Sequence, residues 1–184
     1  MATTLASVAR RPSAGRLAAP RRVVFLLSAL LLVVSFTLAA PLAVSVAYGE
    51  TEVVGAFSTT LFAGVALGAA GVFLLRCDLS SISRREGFVV VALGWAMICL
   101  LGAIPYVLSE SLGFLNAWFE STSGFTTTGA SVIGRPEDLP RGILFWRSMS
   151  QWLGGMGFVV LYVALFPLLG VGASRLYGAE VPGL

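Results

Sequence analysis

The sequence predicts an all-α integral membrane protein in which two preliminary transmembrane helices are followed by one helix, re-entrant loop, helix unit. Three observations predict it. Of the 184 residues 57% are hydrophobic and only 11% are charged, with a mean hydropathy of +0.91, whereas charged residues make up about a quarter of a soluble domain. Four apolar runs are long enough to cross a bilayer core of about 30 Å. Between the third and fourth lies Ser121 to Ser131, reading Ser-Thr-Ser-Gly-Phe-Thr-Thr-Thr-Gly-Ala-Ser. That stretch is too polar to face lipid and too poor in charge to be an ordinary solvated loop.

Residues 1–22 carry Arg10, Arg11, Arg16, Arg21 and Arg22 among Ala, Ser and Pro, the composition of a disordered basic cytoplasmic tail. The run from Val23 to Tyr48 that follows is longer than the apolar core of a signal peptide and favours an uncleaved helix over a cleaved one, although Ala39-Ala40-Pro41 offers small residues for cleavage. Gly49 to Val53 carries only negative charge and reads as an outer turn. Val54 to Leu75 is the second span, so residues 23–75 form a two-helix hairpin. Its Gly64 and Gly68 make a GxxxG pair, which serves either packing within the chain, the reading favoured here, or dimerisation.

Residues 76–86, with Arg76, Arg84 and Arg85, form a cytoplasmic loop by the positive-inside rule. Residues 87–169 form the helix, loop, helix unit: a third span from Gly87 to Leu108 with Pro105 near its outer end, the polar stretch, and a fourth span from about Gly142 to Leu169. Residues 170–184 are then a cytoplasmic connector, expected to be truncated. The two cysteines, Cys77 and Cys99, and the absence of histidine indicate neither a metal cluster nor a disulfide framework.

A helix from about Gly113 to Ser123 would be roughly 16 Å long, about half the bilayer core, and can enter a membrane without crossing it. Irregular backbone at that depth persists only when buried in protein or lining a watery path. Thr126-Thr-Thr-Gly-Ala-Ser131 after a half-helix therefore reads as a re-entrant pore loop, with a hydroxyl-rich extracellular linker as the alternative. In the pore reading Thr127, Thr128, Gly129, Ala130 and Ser131 turn carbonyls toward a cation, and Gly129 supplies a positive φ. Glu120 lies in the half-helix, where a carboxylate costs several kcal/mol unless it pairs or reaches water. It either adds negative potential for cations or partners Arg147, one to two turns into the fourth span. Gln151, Gly154, Gly155 and Gly157 form the middle of that span, and three glycines there weaken a helix by about 1 kcal/mol each. Close approach to the loop, a bend, or ordinary small-residue packing would compensate.

Ser123-Gly-Phe-Thr-Thr-Thr-Gly-Ala-Ser131, Leu139-Pro-Arg-Gly-Ile-Leu-Phe-Trp-Arg147 and Gln151-Trp-Leu-Gly-Gly-Met-Gly157 closely resemble the Trk and Ktr family of potassium-uptake proteins, as does the tail Arg175 to Gly183. The resemblance runs from about Gly87 to the end. It implies potassium transport, with potassium held by filter carbonyls as the transported ion, no other cofactor in this chain, and a helix packed behind the filter. It also implies partners: the remaining pore units of a longer chain, a homodimer, and a separate cytoplasmic nucleotide-binding regulatory ring. One strand is a quarter of a fourfold filter, and no second Thr-Thr-Thr-Gly stretch occurs here. An amino-terminal fragment of a longer protein is therefore the leading expectation, and a short homotetrameric cation-channel subunit or a non-conducting membrane scaffold the alternatives. A membrane enzyme finds no catalytic pair. The expected setting is the plasma membrane, the inner membrane in a Gram-negative cell, with both termini cytoplasmic; nothing indicates a nucleic-acid partner. The loop also lacks the second glycine and the aromatic residue of the Thr-Val-Gly-Tyr-Gly channel signature, so potassium over sodium selectivity stays open.

Overall fold

The computed structural model describes residues 14–77 and 82–165, with side chains from 20 to 77 and from 82 to 163. The expected connector at 170–184 and the middle of the 76–86 loop lie outside the described residues. Six α-helices fill the rest: α1 (Ala14–Thr37), α2 (Ala39–Ala47), α3 (Thr51–Leu74), α4 (Arg84–Leu108), α5 (Phe114–Phe125) and α6 (Arg141–Leu165), with a 3-10 turn at Pro136–Asp138. No strand occurs among the described residues.

Helix α1 opens at Ala14, eight residues before the border expected between tail and first span. Leu17, Ala18 and Ala19 are strong helix formers, and one turn later Arg22 pairs with Glu86 at 2.9 Å. That pair sets the third turn of α1 beside the start of α4. There Ser83 and Glu86 form a capping box, Ser83 Oγ accepting from the Glu86 amide and Glu86 accepting from the Ser83 amide. Residues 84–86, expected in the loop, are thus the first turn of α4, because the box satisfies amides that a helix end otherwise leaves bare.

The first span is broken once, at Leu38. Pro41 has no amide to offer residue 37 and its ring crowds that carbonyl. Thr37 Oγ1 meanwhile donates to Val34 O at 2.6 Å, and the Leu38 amide turns to Ser35 O. The span Pro20–Ala47 is nevertheless long and apolar enough to cross a membrane, as are Thr51–Leu74 and Arg84–Leu108. These three are the helices among the described residues that meet that measure. Helix α6 has 25 residues, about 37 Å of rise, but Arg147, Ser148, Ser150 and Gln151 dilute its hydropathy.

The hairpin closes through Gly49, whose φ of +71° lets the amide of Glu50 reach Ser45 O and its own amide reach Val46 O, the paired bonds of a Schellman motif. Helix α1 then packs along the glycine stripe of α3. A Cβ on Gly68 would stand 2.8 Å from Leu32 N and 3.0 Å from Leu32 Cα, and one on Gly64 would meet Ser35 Cβ at 3.0 Å. The GxxxG pair therefore serves packing within the chain, and α1 covers the face that dimerisation would have needed. The core gathers where α3, α4, α5 and α6 meet, around Phe57, Ala103, Tyr106, Phe125, Ile143 and Trp146. Large apolar side chains elsewhere, such as Phe62, Leu67 and Phe73 on α3, point outward, as expected of helices solvated by lipid.

Candidate functional site: a re-entrant loop stapled to a half-helix

Helix α5 has 12 residues, about 18 Å, and ends two residues later than the sequence alone suggests. It is wedged between α4 and α6 by small residues and by bonds to backbone. Ser121 Oγ donates to Cys99 O at 2.7 Å, and Trp146 Nε1 donates to Gly102 O at 3.0 Å. The glycine at 102 makes room: a Cβ there would stand 2.6 Å from both Phe125 Cε2 and Ser121 Oγ. At the carboxyl end of α5, Trp95 Nε1 donates to Phe125 O at 3.2 Å, and the Phe125 ring meets Trp146 edge-on at 5.9 Å.

The chain then turns sharply through two residues of left-handed backbone, Thr127 at φ +55° and Gly129 at φ +75°. Gly129 was expected to supply a positive φ. Thr127 is an addition, and a costly one for a β-branched residue. Its conformation is held by its amide, which bonds Gly124 O at 2.9 Å, and by the next amide, Thr128 to Ser123 O at 2.9 Å. Both are end carbonyls of α5, which lack helical partners. On the loop's outer side Thr126 Oγ1 and Thr128 Oγ1 share a hydrogen bond of 2.8 Å.

Glu120 anchors the far end of the loop. It is 3% exposed and accepts from Ser131 Oγ at 3.0 and 3.1 Å, from the Val132 amide at 3.1 Å and from Arg147 Nε at 2.7 Å. Of the two roles weighed for this carboxylate, the structure gives the partnership with Arg147. The pair also does more than neutralise charge, since it fixes residues 131 and 132 against α5. Ser123, one helical turn along, holds the stretch between: its hydroxyl donates to Ala130 O at 2.5 Å.

The glycines of α6 divide by what they touch. A Cβ on Gly154 would stand 2.7 Å from Phe125 C and 2.8 Å from Phe125 Cα, so this glycine lets α6 pass against the backbone at the end of α5. Gly157 gives room to Trp95, 3.3 Å from where its Cβ would be, whereas a Cβ on Gly155 would make only ordinary contact with Thr127 at 3.7 Å. Close approach to the end of α5, rather than to the loop as expected, is therefore the compensation for weak helix-forming residues, and it falls chiefly on Gly154. Gln151 stands beside them, its backbone nitrogen 3.9 Å from the position a Cβ on Gly124 would take. The expected site residues thus lie close together, the loop seated on the end of α5 and on α6, with one departure: the Ala130 carbonyl, expected to turn toward a cation, accepts from Ser123 instead.

Residues 126–132 leave their front exposed, and among the described residues no donor reaches the carbonyls of Thr127, Thr128 and Gly129. An array of uncommitted carbonyls on a rigidly backed loop can take the place of water around a cation. Sequence reasoning missed Trp95, Ser123 and Glu50. The last of these reaches from the hairpin turn to cap α6, its carboxylate accepting from the amides of Arg141 at 2.5 Å and Gly142 at 2.9 Å.

The chain is 46% identical over 130 residues to the Trk system potassium uptake protein TrkH of Escherichia coli K12, a match covering 70% of this chain and 27% of that one. It is 39% identical over 165 residues to the protein of the same name from Vibrio parahaemolyticus, covering 89% and 34%. The crystal structure of the potassium transporter TrkH from Vibrio parahaemolyticus superposes with a TM-score of 0.78 at 36% identity, over 88% of this chain and 34% of that one. The chain thus spans about a third of the length of these relatives. The pattern of the TrkH family, described as a cation transport protein, matches residues 54–183, from the second span through the re-entrant loop, and the chain therefore belongs to the TrkH family of cation transport proteins.

Proposed function

We propose that this chain contributes one pore unit of a potassium-uptake system, its loop forming a quarter of the selectivity filter. The observation that carries the reading is the loop itself: exposed carbonyls at Thr127, Thr128 and Gly129 on a stretch pinned from behind by Glu120 and Ser123. The relatives' names supply the ion, since each is called a potassium uptake protein. No bond is made or broken in such a process; the unit lowers the cost of dehydrating a cation.

One strand cannot surround an ion, so further units complete the ring, from a longer chain or from other copies. A homodimer of complete pores and a cytoplasmic nucleotide-binding ring extend the same reading. The arginines before the first span and between the second and third support an orientation with both termini in the cytoplasm, in a plasma or inner membrane. Cysteine labelling tests this: a cysteine at Glu50 should react from outside only, and labelling from the cytoplasm alone would reverse the topology.

The deciding experiment is potassium uptake by cells lacking their own uptake systems. The chain assembled with units that close the ring should restore growth at low potassium. The isolated chain as a demonstrated monomer should pass no potassium. Robust selective flux from that monomer would overturn the quarter-filter reading, and flux from a tetramer would replace it with the short-subunit one.

A further inference from the structure

We infer that Ser123 is a specificity-determining residue: its hydroxyl withdraws the Ala130 carbonyl from ion coordination, so the strand from Thr127 to Ser131 presents four carbonyls where its length offers five. The inference rests on the filter reading above. Glu120 and Ser123 are three residues apart and share a face of α5, the face that backs the loop. Ser123 uses both of its polar groups there. Its backbone carbonyl accepts from the Thr128 amide at 2.9 Å, and its side chain donates to Ala130 O at 2.5 Å. The residue is 6% exposed, and a hydrogen bond shielded from water holds more firmly than one in it.

The Ala130 oxygen therefore faces α5, behind the loop, while the carbonyls of Thr127, Thr128 and Gly129 stay uncommitted. The alternation of left-handed backbone at Thr127 and Gly129 ends at this point. Beyond it Glu120 takes the Ser131 hydroxyl and the Val132 amide and leaves the Ser131 carbonyl uncommitted. An ion at the outer end of this strand consequently meets one ligand fewer and keeps more of its water. Where discrimination between potassium and sodium is set by the number of carbonyl dipoles around the ion rather than by cavity size, more of them favour the larger ion. Ser123 thus lowers the discrimination that the backbone could otherwise reach.

The test is competitive potassium and sodium uptake by the complete transporter, at matched membrane expression, for wild type, Ser123→Ala, Ser123→Cys and Ser123→Thr. Ser123→Ala frees the Ala130 carbonyl and should raise the potassium-to-sodium ratio about threefold or more, since added carbonyl ligands favour potassium. Ser123→Thr keeps the donor and should match wild type. Ser123→Cys keeps the volume with a far weaker donor and should fall between, carrying the test if the alanine variant does not reach the membrane. A purely structural role would lower uptake of both ions without raising the ratio. An unchanged or lower ratio in the alanine and cysteine variants, a threonine variant that behaves like alanine, or failure of both variants to fold overturns the inference. A wild type that takes up no potassium overturns the filter reading instead.

Discussion

The loop in front of α5 and the glycine stretch behind it use the same residue for opposite reasons. Gly129 has no atom within 4 Å of where a Cβ would stand, and its φ is +75°. Gly154 is an ordinary helical residue whose Cβ would drive into the Phe125 backbone. In front, glycine supplies a dihedral angle; behind, it supplies room. The difference separates two kinds of damage. Changing the front should misdirect a carbonyl while the fold survives, and changing the back should push the whole loop off its seat.

The largest effect should come from unpinning the loop altogether. Arg147→Ala leaves the Glu120 carboxylate buried without its cation, and breaking a buried pair by removing one partner costs about 3–5 kcal/mol. The melting temperature of the detergent-solubilised chain should fall accordingly, and a melt indistinguishable from wild type would show that the pair does not seat the loop. Gly154→Ala comes next, at about 2 kcal/mol of destabilisation, typical of overpacking against atoms that cannot yield. The same melt reads it. If Gly154→Ala is neutral, the front-to-back contrast collapses.

Gly129→Ser should cost only about 1 kcal/mol or so of stability, the penalty for a side chain at positive φ. In a complete assembly its effect should appear in the potassium-to-sodium uptake ratio, with Thr59→Ser in the second span as a control. An unchanged ratio would remove Gly129 from the filter. The smallest and sharpest case is Gly155→Ala. Its Cβ meets only Thr127 Cγ2 at 3.7 Å, so replacing a helical glycine should leave the melt unchanged or raise stability by up to about 1 kcal/mol. Neighbouring residues would then respond with opposite signs, which a general dislike of change in α6 cannot produce.

What the sequence made legible is what is local or expensive. The half-helix, the positive φ of Gly129 and the need of Glu120 for a partner all follow from apolar spacing, turn chemistry or the cost of charge in a membrane. Trp95 and Ser123 left no such trace. Each bonds a backbone carbonyl, and carbonyls are identical at every position, so nothing in the acceptor residue marks the pairing. The left-handed Thr127 was hidden likewise, because its conformation is imposed by end carbonyls of α5 rather than preferred by threonine. The early start of α1 was obscured by arginine and proline, whose composition suits a tail until Arg22 finds Glu86 across 64 positions.

Glu50 has a consequence for how the molecule is made. It belongs to the first turn completed, yet its carboxylate holds amides of Arg141 and Gly142, 91 and 92 positions later. The last helix of the unit therefore has its amino end furnished by a residue of the earliest hairpin. Helix α6 can be secured only if it arrives with its amino end on the same side of the membrane as that turn. A copy inserted the wrong way round would present carbonyls to the carboxylate instead of amides and be repelled. The contact thus favours one orientation of the final segment over the other.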